Sequence, residues 1–111
     1  MNQAAEIVYV IEDDPHARDS IRALIASMGL RAAVFASAEE FLQQFQESWH
    51  GCLVLDMRLP GLSGLDLQQQ LTQIHSRLAV VLISGHATVS AAVQAMQNGA
   101  VTFIEKHSTQ T

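Results

Sequence analysis

The chain has 111 residues, of which 49% are hydrophobic and 15% are charged, which excludes a disordered chain and allows one domain over residues 1–111. Eleven acidic residues outnumber six basic ones, and the net charge of −5 argues against direct nucleic-acid binding. The single Cys52 excludes an internal disulfide and a cysteine-based zinc site. Because no N-terminal signal and no apolar run of about 18 residues is present, we expect a soluble, cytoplasmic protein without membrane contact.

Five short apolar runs predict the strands of a parallel sheet that is covered on both faces. They are Ile7–Ile11, Ala32–Phe35, Cys52–Leu55, Ala79–Ile83 and Val101–Ile104. Amphipathic segments alternate with these runs, so the predicted order is βαβαβαβαβ. Right-handed crossovers would wind this order into a doubly wound α/β fold.

The segment from His16 to Met28 predicts the first helix, with Asp14 as N-cap, Pro15 in the first turn and Gly29 after its end. Its apolar face is predicted to consist of Ala17, Ile21, Leu24, Ile25 and Met28.

Capping residues and apolar spacing predict three further helices. Ser37 and Glu40 form a capping box that opens a helix to about Phe45. The other two are Gly64–Gln73, in which Leu67 breaks a clean apolar stripe of Leu65, Leu71 and Ile74, and Val89–Asn98, with Thr88 as cap and Gly99 as stop.

Polar side chains follow four of the predicted strands at their carboxyl ends. These are Glu12, Asp13 and Asp14 after the first, Asp56 after the third, Ser84 after the fourth and Lys106, the only lysine, after the fifth. Ligands bind at the carboxyl ends of strands in parallel sheets. If strand 1 lies beside strand 3, with strands 4 and 5 following, these groups converge.

Carboxylates that converge repel one another unless a cation joins them, and hard oxygen ligands suit Mg²⁺. One carboxylate could then attack phosphorus and form an acyl phosphate. The charge on the transferred phosphoryl group would be met by Mg²⁺, by the Lys106 ammonium and by the Ser84 hydroxyl. The sequence therefore predicts phosphoryl chemistry at this edge.

Each residue also has a simpler interpretation. Acids favour helix N-termini, which for Asp14 is the preferred interpretation, and Ser84 also fits a turn. His86 is expected to be a solvated loop residue. The aromatic residues Phe41, Phe45 and Trp49 are expected to pack in the core rather than to bind a nucleotide. Asp56 is harder to dismiss, because it ends a buried strand and no other acid follows in its turn.

The sequence resembles the receiver domain of bacterial two-component response regulators, particularly those attached to LuxR-type helix-turn-helix output domains. The stretches that carry the resemblance are VYVIEDDPHARDSIRALI, VFASAEEFL, CLVLDMRLPGLSGLDL, VVLISGHATVSAAVQAMQNGA and VTFIEK. They cover nearly all of residues 7–106. The resemblance implies a flavodoxin-like fold with strand order 2-1-3-4-5.

The resemblance also implies residue roles. Asp56 is expected to be the phosphoacceptor, with Ser84 as switch hydroxyl, Lys106 as phosphate-binding lysine and Phe103 as switch aromatic. The implied Mg²⁺ ligands are Asp13 and Asp56 directly, Glu12 through water and Arg58 through its backbone carbonyl. Arg58 and His86, each two residues after a site residue, are expected to set the lifetime of the acyl phosphate.

The chain departs from the family pattern near its C-terminus. His107 stands where the family has a proline after the lysine, so we expect a trans Lys106–His107 peptide. The family's fifth helix and the output domain are absent before the chain stops at Thr111, in either a truncated or a naturally short form. We label the fifth predicted strand (Val101–Ile104) β5 and the fourth predicted helix (Val89–Asn98) α4. An uncovered β5 edge predicts a homodimer through the β5/α4 side, or reduced stability.

Three functional classes remain open. The leading class is a phosphorylatable switch that receives phosphate from a sensor histidine kinase. Phosphorylation would change the partner preference of its α4–β5 face. In this class the chain is not an enzyme in its own right. The second is a Mg²⁺-dependent phosphohydrolase, but Arg58 stands where such an enzyme needs a second acid. The third is a degenerate receiver that only docks proteins, against which the full set of acids, Ser84 and Lys106 argues.

Overall fold

The computed structural model describes residues 7–84, 97, 99–100 and the backbone of 102–105, together with the side chain of Ile104. The strands within these residues are β1 (Ile7–Ile11), β2 (Arg31–Phe35), β3 (His50–Asp56), β4 (Arg77–Ser84) and β5 (Thr102–Glu105). All neighbouring strands are parallel, in the order β2-β1-β3-β4-β5. This confirms the predicted doubly wound fold. Strands β3 and β4 are longer than predicted, and they include Asp56 and Ser84 as their last residues.

The described helices are α1 (Pro15–Ser27), α2 (Ala38–Gln44) and α3 (Gly64–Gln73). Side-chain oxygens of the residue before each helix cap its first turn: Asp14 accepts from the N–H of His16, Ser37 from Glu40 and Ser63 from Asp66. Gly29 has a φ of +80°, a left-handed conformation that suits its position after the end of α1. None of the described helices is both long and apolar enough to cross a membrane.

The outer part of the predicted apolar face of α1 is not buried, which corrects the sequence-based expectation. Ile25 is buried, whereas Leu24 and Met28 are 62% and 63% exposed. Leu24 lies on the wall of a 440 Å³ groove between α1 and the sheet, which Ile104 of β5 also lines. Within the described residues, the sheet covers only the part of the stripe nearest to it.

Helix α3 buries a different stripe from the predicted one. Leu67 and Leu71 are buried, together with Gly64 and Gln68, while Ile74 is half exposed. Leu67 is therefore a core residue rather than a break in the stripe. The buried positions are spaced by three or four residues, as helical periodicity requires, and the polar Gln68 concealed this pattern.

Aromatic residues form most of the core beneath α2. The rings of Tyr9 and Trp49 are stacked with their centroids 4.5 Å apart, and Phe41 contacts Phe35 and Phe45. The prediction that Phe41, Phe45 and Trp49 pack in the core is confirmed. Burial raises the pKa of the Tyr9 phenol and of the Cys52 thiol, because a charged oxygen or sulfur loses its hydration there.

Several sequence-based expectations fall outside the described residues. They are the helix Val89–Asn98 apart from Gln97, which is helical, and His86, Lys106 and the Lys106–His107 peptide. Gly99 is described and has a φ of +99°, a conformation that fits a residue ending a helix.

Candidate phosphoacceptor and metal site

Strand register brings the predicted acidic residues to one edge of the sheet. Ile11 of β1 is paired with Leu55 of β3, so the residues that follow them, Glu12 and Asp56, are neighbours across the two strands. Asp56 is in turn paired with Ile83 of β4, and Ser84 is the next residue. Glu12, Asp56 and Ser84 therefore lie at the same edge of the sheet, as expected from the strand order.

Carboxylate oxygens of Glu12, Asp13 and Asp56 all lie within 4.8 Å of one another. Glu12 and Asp56 are only 1% and 4% exposed, whereas Asp13 is open to solvent. Three negative charges at this separation repel one another, and a divalent cation between them would relieve the repulsion. The donors are all hard oxygens and one side of the cluster is open, which fits Mg²⁺ with several retained waters.

Backbone groups orient the two buried carboxylates. The N–H of Arg58 donates to Oδ1 of Asp56 at 3.0 Å, and the N–H of Asp14 donates to Oε2 of Glu12 at 3.2 Å. The main chain after Asp56 is held too, because the N–H of Met57 donates to the carbonyl of Ile83 at 2.9 Å. These hydrogen bonds restrain the main chain up to Arg58, whose backbone carbonyl is a predicted Mg²⁺ ligand.

Gly64 permits the turn that returns the chain from the site to α3. Its N–H donates to the carbonyl of Met57 at 3.1 Å. A Cβ at this position would overlap the backbone carbonyl of Asp56 and would lie 2.8 Å from the Cα of Met57. Only glycine lets α3 begin this close to the candidate phosphoacceptor.

Arg18 is a contributor that sequence reasoning missed. Its guanidinium donates to the backbone carbonyl of Glu12 at 3.0 Å and to that of Asp13 at 3.4 Å. A helical turn within α1 carries the arginine back over the acidic loop, where it holds the loop and adds positive charge. An arginine in the first turn and a half of a helix that follows an acidic loop is the signal that was available.

The other predicted residues are described to different extents. Ser84 is 1% exposed at the end of β4, on the same edge as Asp56, and its backbone is paired with Glu105. The backbone of Phe103 is paired with Leu82 of β4. Lys106 and His86 lie outside the described residues, so their placement at the site stays a prediction.

The sheet has the strand order 2-1-3-4-5, and an acidic cluster lies at the ends of β1 and β3. These two features are typical of a receiver-like protein. Comparison with known families identifies the family. Residues 8–111 match the model of the response regulator receiver domain. The chain belongs to this family.

Individual proteins and a solved structure with 39–45% sequence identity support the assignment. Nodulation protein W of Bradyrhizobium diazoefficiens is 45% identical over 100 residues, which are 90% of this chain and 44% of that protein. The response regulator protein TodT of Pseudomonas putida is 39% identical over 106 residues, 96% of this chain and 47% of that protein. The structure of the response regulator StyR has a TM-score of 0.85 at 42% identity, covering 93% of this chain and 52% of that one. The chain thus spans about half the length of these relatives.

Proposed function

We propose that this chain is the phosphoacceptor of a two-component system and that Asp56 receives the phosphoryl group from a sensor histidine kinase. The observation that supports this most directly is the cluster of Glu12, Asp13 and Asp56, whose carboxylate oxygens lie within 4.8 Å of one another. Structural acids at a helix start do not require two of the three to be buried. Membership of the receiver family supports a role of the cluster in phosphorylation.

The proposed reaction is a nucleophilic displacement at phosphorus. A carboxylate oxygen of Asp56 forms a new P–O bond as the bond between phosphorus and the donor's leaving group breaks, which gives an acyl phosphate. The N–H of Arg58, bonded to Oδ1, orients the carboxylate for attack by its other oxygen. Asp13, Asp56, the Arg58 carbonyl and, through water, Glu12 would hold Mg²⁺, which neutralises charge on the phosphoryl oxygens when bound. Ser84 and Lys106 would contact the remaining oxygens.

Signal output is proposed to follow from movement of Ser84 toward the phosphate, with Phe103 filling the space that is vacated. Ser84 belongs to β4 and Phe103 to β5, so the change would reach the α4–β5 face. The relatives are about twice as long as this chain, and TodT is described as a response regulator. We therefore propose that this face controls an output domain, of the LuxR-type helix-turn-helix class, and that the chain acts in the cytoplasm.

A second copy of the chain is proposed as a further partner, on the β5 side. The groove there is lined almost entirely by apolar side chains: Ala17, Ile21, Leu24, Ile25, Val54, Val81, Ile83 and Ile104. Strand β5 is the edge of the described sheet and its Ile104 is 51% exposed. Exposed edges with apolar side chains favour association.

Intact-mass measurement after incubation with Mg²⁺ and acetyl phosphate tests the proposed function. We expect a mass gain of one phosphoryl group in the wild-type chain and none in Asp56→Asn or in the presence of EDTA. Asp66→Asn is the matched control, because Asp66 is an exposed acid in the first turn of α3, outside the cluster. No gain in the wild-type chain would favour a receiver that only docks proteins, and persistent labelling of Asp56→Asn would move the acceptor elsewhere.

A further inference from the structure

Glu39, an exposed residue in the first turn of α2, is bonded to the loop that follows the phosphoacceptor. Its Oε2 accepts a hydrogen bond of 2.9 Å from the backbone N–H of Leu62, 23 residues further along the chain. We propose that Glu39 is a positioning residue of the phosphorylation site, which fixes the β3–α3 loop so that the Arg58 carbonyl is held ready for Mg²⁺. The role of Glu39 in Mg²⁺ binding rests on the proposed function, whereas the Glu39–Leu62 hydrogen bond does not.

The helix that carries Glu39 is a rigid support. Ala38 and Phe41, on either side of it in sequence, are completely buried in the core. Phe41 is surrounded by aromatic rings, with centroids 5.3 Å from Phe35 and 5.7 Å from Trp49. With the buried face of α2 fixed in this way, the outward side chain of Glu39 can act as a stationary anchor for a loop.

The loop itself fits closely around the carboxylate. Gly61 has a φ of +75°, and a Cβ at this position would lie 2.6 Å from Oε2 of Glu39. Glycine suits this left-handed backbone conformation, and a Cβ here would require the Glu39 carboxylate to move away. The Leu62 hydrogen bond lowers the pKa of the Glu39 carboxyl, so the acceptor is ionised at neutral pH and the bond is charge-assisted.

The anchored point lies in the middle of a segment whose ends are already held. The N–H of Met57 is bonded to Ile83 at the start of the segment, and that of Gly64 is bonded back to Met57 at its end. Between these bonds, Leu59 is buried and Arg58 is exposed. The Glu39–Leu62 bond thus adds a hydrogen-bonded restraint to the outer part of the loop, beside the packing of Leu59 and Leu62 on the core.

Glu40 provides a control, because it lies next to Glu39 in the first turn of α2 and its side chain holds a different loop. Its Oε1 accepts a hydrogen bond of 2.8 Å from the backbone N–H of Ala36, in the loop before α2. Replacing either glutamate removes one negative charge from the same turn of the same helix. Only the Glu39 variant releases the β3–α3 loop.

The experiment measures amide hydrogen exchange by NMR and Mg²⁺ binding by calorimetry in Glu39→Ala, Glu39→Gln and Glu40→Ala. We expect faster exchange of the Leu62 amide and a Mg²⁺ dissociation constant raised about threefold in Glu39→Ala, as for the loss of one exposed charge-assisted hydrogen bond. Glu39→Gln keeps a neutral acceptor and should recover part of both effects. Glu40→Ala should accelerate the Ala36 amide and leave Leu62 unchanged.

The outcomes separate this inference from the proposed function. Equal Leu62 exchange in the Glu39 and Glu40 variants would overturn the anchor. Faster Leu62 exchange with equal Mg²⁺ affinity in both variants would overturn the positioning role. Absence of Mg²⁺ binding and labelling in the wild-type chain would overturn the proposed function, whereas the exchange data would still decide whether Glu39 holds the loop.

Discussion

The backbone N–H of Arg58 donates a 3.0 Å hydrogen bond to the carboxylate of Asp56, while the Arg58 side chain is exposed. One residue therefore has two separable parts. Its main chain orients the candidate phosphoacceptor, and any substitution except proline retains that contact. Its side chain is free to act on what approaches from solvent.

Arg58→Ala is expected to leave formation of the acyl phosphate intact and to change its lifetime, because we expect its exposed guanidinium, two residues after Asp56, to border the path of the attacking water. His86→Ala is expected to do the same, on sequence grounds. The decay of phosphorylated protein, followed by intact mass after the phosphodonor is removed, measures this. Unchanged lifetimes in both variants would contradict the assigned roles.

Ser84→Ala and Lys106→Ala are expected to impair different steps, the switching response and phosphotransfer respectively. Loss of the only lysine should slow phosphotransfer, because phosphoryl charge goes uncompensated. Loss of the Ser84 hydroxyl should leave labelling largely intact and weaken the response of the α4–β5 face, which amide exchange in β5 can follow with and without phosphodonor. Equal loss of labelling in the two variants would show that the roles are not divided.

Gly64→Ala is expected to destabilise the fold by about 1–3 kcal/mol, since the new Cβ would overlap the backbone of Asp56 and Met57. Gly29→Ala is the comparison, because nothing lies within 4 Å of a Cβ there and only its φ of +80° is unfavourable, by about 1 kcal/mol. Urea unfolding of both variants measures the free energies. Similar losses at the two positions would show that the Gly64 contact relaxes easily.

Glu39 also predicts a pH dependence. The Leu62 hydrogen bond lowers the pKa of its carboxyl in the folded chain, so the unfolded chain binds the proton more tightly. The resulting stabilisation is present above the unfolded pKa of about 4.3 and is lost as the pH falls through the lower folded value. The stability difference between wild type and Glu39→Gln should therefore shrink below about pH 4. A difference that stays constant from pH 7 to pH 3 would contradict this.

Self-association through the β5 side is expected to depend on the groove. Sedimentation should show dimers of the wild-type chain, and Ile104→Glu should give monomers, because a charge is placed on the apolar wall. Ile74→Glu is a matched control, since Ile74 is equally exposed, at 50% against 51%, and does not line the groove. A monomeric wild-type chain would mean that the face is covered in another way.

The sheet order could be expected from the resemblance to the receiver family, and in that order parallel strands bring their acidic carboxyl ends to one edge. Glu12 and Asp56 are adjacent because β1 lies beside β3. The Glu39 contact could not be predicted, since it joins α2 to a loop 23 residues further along the chain that no local periodicity describes. For Arg18, its position after the acidic loop was a signal, but it did not specify the two carbonyl groups that the guanidinium contacts. Periodicity also overestimated the buried face of α1, because it marks apolar positions without showing how far the sheet extends over them. Leu24 is the clearest case.

The crowding of Gly64 against Asp56 has a consequence for how this gene can vary. A library selected only for folded protein should retain glycine at position 64, while position 56 is free to drift among residues that fit a strand end. Selection for phosphorylation would restrict position 56 as well. Comparing the two selections would separate what the backbone geometry demands from what the chemistry demands, at two positions where a Cβ added at one would overlap the backbone of the other.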